Sequence, residues 1–175
     1  GNVYVGVVCS AESTQNTADL QAYVLSTPEG SPGTWTLVFE FGLDYPRGVV
    51  SSDGPGYPAE WRPWSNTFTS LWCGTWGGSG LGFGNQIIYP QPILSDIEFD
   101  IDGDMILGFM DRAGHQTGEV NYSTAAATTS FTFYDFTAGY AATSVTIAAG
   151  TVFEGTSAGD MLRVCNVAGT FVLEN

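Results

Sequence analysis

The chain has 175 residues, with Asp and Glu numbering 18 against four Arg and no Lys, for a formal net charge of −14. The lack of Lys closes Schiff-base chemistry and a P-loop, and so few cations argue against nucleic acid or an anionic membrane surface as partner. One histidine, His115, excludes multi-histidine metal sites.

Residues 3–9 are mostly β-branched or aromatic and predict a first strand. A polar stretch, 10–18, predicts a loop, and residues 20–25 a second strand. The turn cluster 28–33 leads to a third strand over 34–41, which completes an antiparallel meander. From Gly42 the text changes. Pro46, Pro55, Pro58 and Pro63 break any long element, and residues 74–84 carry six glycines around Trp76 and Phe83. This Gly-, Trp- and Pro-rich segment, about 42–94, is expected to cover an end or an edge of a sheet.

Regular alternation resumes before Asp96. Ile97, Phe99 and Ile101 alternate with Asp96, Glu98, Asp100 and Asp102, and Asp102-Gly103 predicts a two-residue hairpin turn. Residues 105–110 form the return strand, 111–123 a polar loop, and 129–136 and 145–153 further β segments. Strands over 160–165 and 169–173 close the chain. Low charge (13%), 23 glycines and 14% aromatics agree with an all-β fold. No apolar run approaches the roughly 20 residues of a membrane-spanning helix. Cys9, Cys73 and Cys165 allow at most one disulfide.

An internal repeat is visible. Gly1-Asn2-Val3-Tyr4-Val5-Gly6-Val7-Val8 aligns with Gly103-Asp104-Met105-Ile106-Leu107-Gly108-Phe109-Met110. Ala18-Asp19-Leu20 aligns with Gly159-Asp160-Met161, and Gly33-Thr34-Trp35-Thr36-Leu37 with Gly169-Thr170-Phe171-Val172-Leu173. A fourth strand, 96–101, precedes the second copy. Four antiparallel strands per unit is the pattern of a propeller blade. The expectation is one all-β region over 1–175, a partial propeller or a fragment of one, with blade-like units at about 1–41 and 95–175. A β-sandwich is the alternative. The sequence starts inside a blade and stops at a last strand, as expected of a piece of a longer chain.

The stretches GNVYVGVVCSAE, ADLQAYV, FGLDYPRG, EWRPW and AGDMLRVCNVAGTFVLEN, and above all LSDIEFDIDGDMILGFMDRAGHQTG, carry a resemblance. They resemble a repeat region of large bacterial surface proteins that often carry serine-aspartate-repeat B-like domains. The resemblance implies a secreted or cell-surface, propeller-like region and brings no catalytic residues.

Three groups of residues are candidates for chemistry. Asp96, Glu98, Asp100, Asp102 and Asp104 share one parity, so like charges project together on a strand unless water or a cation screens them. Such an oxygen-rich group suits Ca²⁺, although the glycine and final glutamate of an EF-hand loop are not in place. The competing reading is that Asp102-Gly103 makes the turn and the other carboxylates face water. Trp61, Trp64, Trp72 and Trp76 form a candidate glycan-stacking platform, against a mini-core under the glycine-rich loops. Asp111, Arg112 and His115 lack a GxSxG elbow nearby and are read as structural, with Asp111 bonding Arg112 or a turn amide. The sequence thus points to a non-enzymatic extracellular structural or adhesive module, self-assembling through open sheet edges or contacting neighbouring surface proteins. It would need no cofactor except, conditionally, Ca²⁺. A carbohydrate-binding or carbohydrate-cleaving secreted domain is the alternative.

Overall fold

The computed structural model describes residues 1–50, 57–67, 73–74, 86–122, 130–135, 141–146, 150 and 152–174. Strand β1 (Asn2–Cys9) is followed by a 3-10 turn (Thr17–Asp19), β2 (Gln21–Pro28) and β3 (Thr36–Gly42). Four two-residue strands come next: β4 (Val49–Val50), β5 (Tyr57–Pro58), β6 (Cys73–Gly74) and β7 (Gln86–Ile87). Then come β8 (Pro92–Phe99), β9 (Met105–Asp111), α1 (Arg112–Thr117) and β10 (Val120–Tyr122). The chain continues through β11 (Ser130–Asp135), β12 (Ala141–Thr146), β13 (Val152–Gly155), β14 (Asp160–Val167) and β15 (Thr170–Leu173).

The fold is all-β. Among the described residues, sheet I has the order β1-β2-β3 and sheet II the order β15-β14-β9-β8. A mixed sheet, β10-β13-β7-β6-β11-β12, and the ribbon β4-β5 complete the set, and none of these sheets closes on itself. Sheet I is a meander with β1 paired to β2 from Asn2↔Pro28 to Cys9↔Gln21, and β2 paired to β3. In sheet II, β9 pairs with β14 and β14 with β15, all antiparallel. Strands β1-β2-β3 and β9-β14-β15 therefore follow one order, and β8 adds a strand beside β9.

Three expectations need correction. The β8–β9 turn is not a two-residue hairpin. Gly103 N donates to Asp100 O and Asp100 N to Asp104 O, both at 3.0 Å, with Gly103 at φ 82°. Ile101, Asp102 and Gly103 thus form a three-residue loop, a turn followed by a left-handed glycine. The two-residue turn is elsewhere, at Ala168 (φ 52°) and Gly169 (φ 88°) between β14 and β15. The polar loop 111–123 contains α1, started by the Asp111 side chain accepting from Ala113 N at 2.9 Å. The predicted strand 145–153 is split between β12 and β13.

Sheets I and II share one core. Leu20, Ala22 and Val24 meet Leu94, Met105, Leu107, Phe109 and Val164, all at most 7% exposed, with Leu43 and Trp61 entering from loops. Phe41 lies edge-on to Phe109, 6.1 Å between ring centroids. Burying each large side chain fully is worth about 1.5–3 kcal/mol. The closest approach is at Gly6 on β1, where a Cβ would lie 2.4 Å from Leu94 Cγ and 3.0 Å from Leu94 O on β8. Glycine is required there by space, and the backbone oxygen cannot swing away. Gly6→Val is expected to destabilise the protein by about 1–3 kcal/mol through overpacking. Urea denaturation checks this; an unchanged midpoint would show that the sheets do not approach at Gly6.

Candidate functional site

The carboxylate ladder is divided by the fold. A bulge in β8 between Leu94 and Asp96 sets Asp96 opposite Gly108 and Glu98 opposite Ile106, both exposed, while Ile97 faces Leu107. Asp100, Asp102 and Asp104 belong to the turn beyond the strand. Asp100 Oδ1 accepts from the backbone N of Asp102 (2.9 Å) and Asp104 (3.1 Å). Arg163 of β14 supplies the counter-charge. Its guanidinium donates to Asp104 Oδ2 at 2.7 and 3.1 Å and to Asp100 Oδ2 at 3.0 Å. Asp104 Oδ1 accepts from Asn166 N at 2.7 Å. The expected calcium ligand set Asp96, Glu98, Asp100, Asp102 and Asp104 therefore does not converge. A guanidinium occupies the place a cation would take. Among the described residues, no group of three or more His, Cys, Asp or Glu is placed to hold a metal ion.

Asp104 is held below the ordinary carboxylate value of 3.8, first by the Asn166 amide and then by Arg163. Arg163 in turn holds its proton more tightly, chiefly through its bond to Asp104. Burial pushes the nearby Cys165 thiol up, and the Asp104 charge pushes it further, which disfavours a reactive thiolate. Cys9 and Cys165 are free thiols; the Cys73 side chain lies outside the described residues.

Asp111 is a fully buried carboxylate that the sequence marks only as an acid beside Arg112. Its Oδ1 accepts from Gln91 N (3.0 Å) and Ala113 N (2.9 Å), and its Oδ2 from Ala158 N (3.2 Å). It ties the start of β8, the first turn of α1 and the approach to β14 at one point. Burial pushes its pKa above the ordinary value, and these amides pull it back. Gln91, also fully buried, donates to Ser65 O at 3.3 Å and accepts from Arg112 at 2.5 Å. His115 is exposed on α1.

A second buried polar group was missed by sequence reasoning. The Arg47 side chain is 3% exposed and donates to Asp160 Oδ2 (3.2 Å), Ala158 O (2.9 Å), Gly159 O (2.7 Å) and Ala59 O. Its guanidinium lies 3.6 Å from the Trp61 ring centroid. Trp61 Nε1 donates to Tyr45 Oη (3.1 Å), which donates to Asp160 Oδ2 (2.8 Å). Burial, above all, pushes the Tyr45 phenol above its ordinary 10. These residues lie in FGLDYPRG, EWRPW and AGDMLRV, so those motifs mark a clasp between the β3–β4 loop and β14.

Of the four indoles of the expected glycan platform, Trp61 and Trp64 are described. Trp61 is 1% exposed and offers sugar no face. Trp64 is half-buried, with Nε1 donating to Pro92 O at 2.9 Å and Arg112 at 4.7 Å from its ring. Trp72 and Trp76 lie outside the described residues. Trp64, Glu12, Gln15 and Asn66 line a recess of about 300 Å³, and Tyr4, Leu94, Asp96 and Phe99 line another of about 380 Å³.

No protein-family model and no solved structure matches the chain. Colossin-C of Dictyostelium discoideum is 29% identical to it over 116 residues, 65% of this chain and 9% of Colossin-C. The matched region spans under a tenth of that protein's own length. No helix among the described residues is long and apolar enough to cross a membrane.

Two outcomes follow from the Asp111 and Asp104 carboxylates. Asp111→Ala strands three amides, each worth about 1–3 kcal/mol when buried unpaired. Urea denaturation should show a loss of at least about 3 kcal/mol, with Asp111→Asn losing less because one acceptor remains. For Asp104 the depressed pKa means stability present above 3.8 and lost as pH falls through its folded pKa. Asp104→Asn should therefore flatten the acid limb of the stability–pH curve below 3.8. An unchanged limb would show that Asp104 gains nothing from Asn166 and Arg163.

Proposed function

We propose that the chain is a non-enzymatic, extracellular structural or adhesive β module of a larger surface protein. In this reading it is built of propeller-like four-stranded units, associates through open sheet edges, and needs no cofactor. The observation that carries it is the employment of the polar side chains. Arg47, Asp104, Asp111, Asp160 and Arg163 each link one segment of the chain to a distant one. None of them lines either recess described above. The extracellular, bacterial placement is supported by the sequence resemblance; Colossin-C, from a eukaryote, adds nothing to the source.

Strands β3 and β15 end their ladders, and a terminal strand offers unpaired N–H and C=O groups to another chain. Glu174 N donates to Arg163 O at 3.0 Å, so by alternation the Leu173 N–H points away from β14 to the free edge. Leu173→Pro removes that donor and keeps an apolar side chain. Sedimentation velocity of the full chain is expected to show species above 18.6 kDa that decline in Leu173→Pro, with circular dichroism confirming the fold. An unchanged size distribution overturns edge association. Turnover of a polysaccharide, ester or peptide by the wild type overturns the non-enzymatic reading.

One observation favours glycan binding as a second reading: Trp64 and Glu12 share a recess. A glycan array with wild type and Trp64→Ala decides it. Binding lost with the indole supports the reading, and no binding by the wild type removes it.

A further inference from the structure

The two copies of the repeat bury opposite faces. In sheet II the core face carries Met105, Leu107, Phe109 and Val164, each at most 4% exposed, with Phe171 and Leu173 packed alongside. The repeat alignment pairs Met105, Leu107 and Phe109 with Val3, Val5 and Val7 of sheet I, and Phe171 and Leu173 with Trp35 and Leu37. Those counterparts are open: Val3 46%, Val5 36%, Val7 39%, Trp35 48% and Leu37 49% exposed. The reverse holds for the other face. Leu20, just before β2, is fully buried, and its counterpart Met161 on β14 is 74% exposed. Val8 packs on the core, and its counterpart Met110 is 37% exposed.

Sheet I therefore lays one type of face on the opposite type of face of sheet II. This is head-to-tail stacking, not a pseudo-two-fold pair, which would bury the same face of each. Head-to-tail stacking leaves one unused face of each type, at opposite ends. The unused face of sheet I has the side-chain pattern that sheet II fills with core residues. The unused face of sheet II presents Met110, Met161 and Val172, with Arg163 between the last two and Asp96 and Glu98 along its β8 side. The exposed Val3, Val5, Val7, Trp35 and Leu37 side chains give sheet I an apolar outer face, the mark of an interaction site.

We propose that a second copy of this chain lays the outer face of its sheet II on the outer face of sheet I, repeating the stacking already made within the chain. The in-chain interface argues for this occupant, because it joins the same two types of face. The proposal rests on the structural-module reading but uses sheet faces, leaving the edges free. Because the contact is heterologous, each molecule binds one neighbour at each end, giving a ring or an open stack.

The test uses the full chain and two charge variants, Val5→Lys in sheet I and Met161→Lys in sheet II, with near-ultraviolet circular dichroism confirming the fold. Sedimentation velocity of the wild type should show concentration-dependent species beyond a dimer. Each variant alone should self-associate at least about tenfold more weakly, which is about 1.4 kcal/mol. An equimolar mixture should form a one-to-one dimer and stop there, because each variant keeps the face the other lacks. Trp35→Glu repeats the sheet I arm should Val5→Lys fail to fold. A wild type monomeric at every concentration, variants that assemble like the wild type, or a mixture that stays monomeric each overturns the proposal. Leu173→Pro separates the two modes: stacking survives it and edge pairing does not.

Discussion

The apolar contact between Leu20, Ala22 and Val24 on one side and Met105, Leu107, Phe109 and Val164 on the other is what makes two small sheets one body. Three or four strands with a single buried face hold together only when something covers that face. Each sheet does this for the other, and Gly6 lets β8 come close enough for the contact to be continuous. The loops add to it from the end, with Leu43 and the Trp61 indole closing the core.

The polar groups follow from that constraint. Wherever a loop crosses the end of the two-sheet core, its backbone amides and carbonyls leave water and need partners. Asp111 collects amides from three segments, and Arg47 collects carbonyls from two. In a chain with so few cations, Arg47, Arg112 and Arg163 are all engaged with acceptors inside the fold.

The strands of sheets I and II and their common order were legible, because β-branched periodicity and the repeated Gly-Asn/Asp start are local signals. Which face each sheet buries was not. Strand β1 is apolar on both parities, with Val3, Val5 and Val7 on one face and Tyr4 and Val8 on the other. The carboxylate ladder was legible only in part: Asp96 and Glu98 lie on β8, while Asp100, Asp102 and Asp104 belong to the turn beyond it. Its neutralisation was hidden because Arg163 lies 59 positions from Asp104. The burial of Trp61 was hidden for the same reason: it meets Tyr45 and Arg47 only after folding. Helix α1 was within reach of the sequence, since Asp111 before Ala113 and Gly118 are start and stop signals.

Native-state amide hydrogen exchange tests the shared core most directly. If sheets I and II are one cooperative unit, the amides of β2, β9 and β14 exchange with a common opening free energy equal to that of global unfolding. If β2 opens at markedly lower free energy while β9 and β14 stay protected, the sheets are separate units and the account of one core fails.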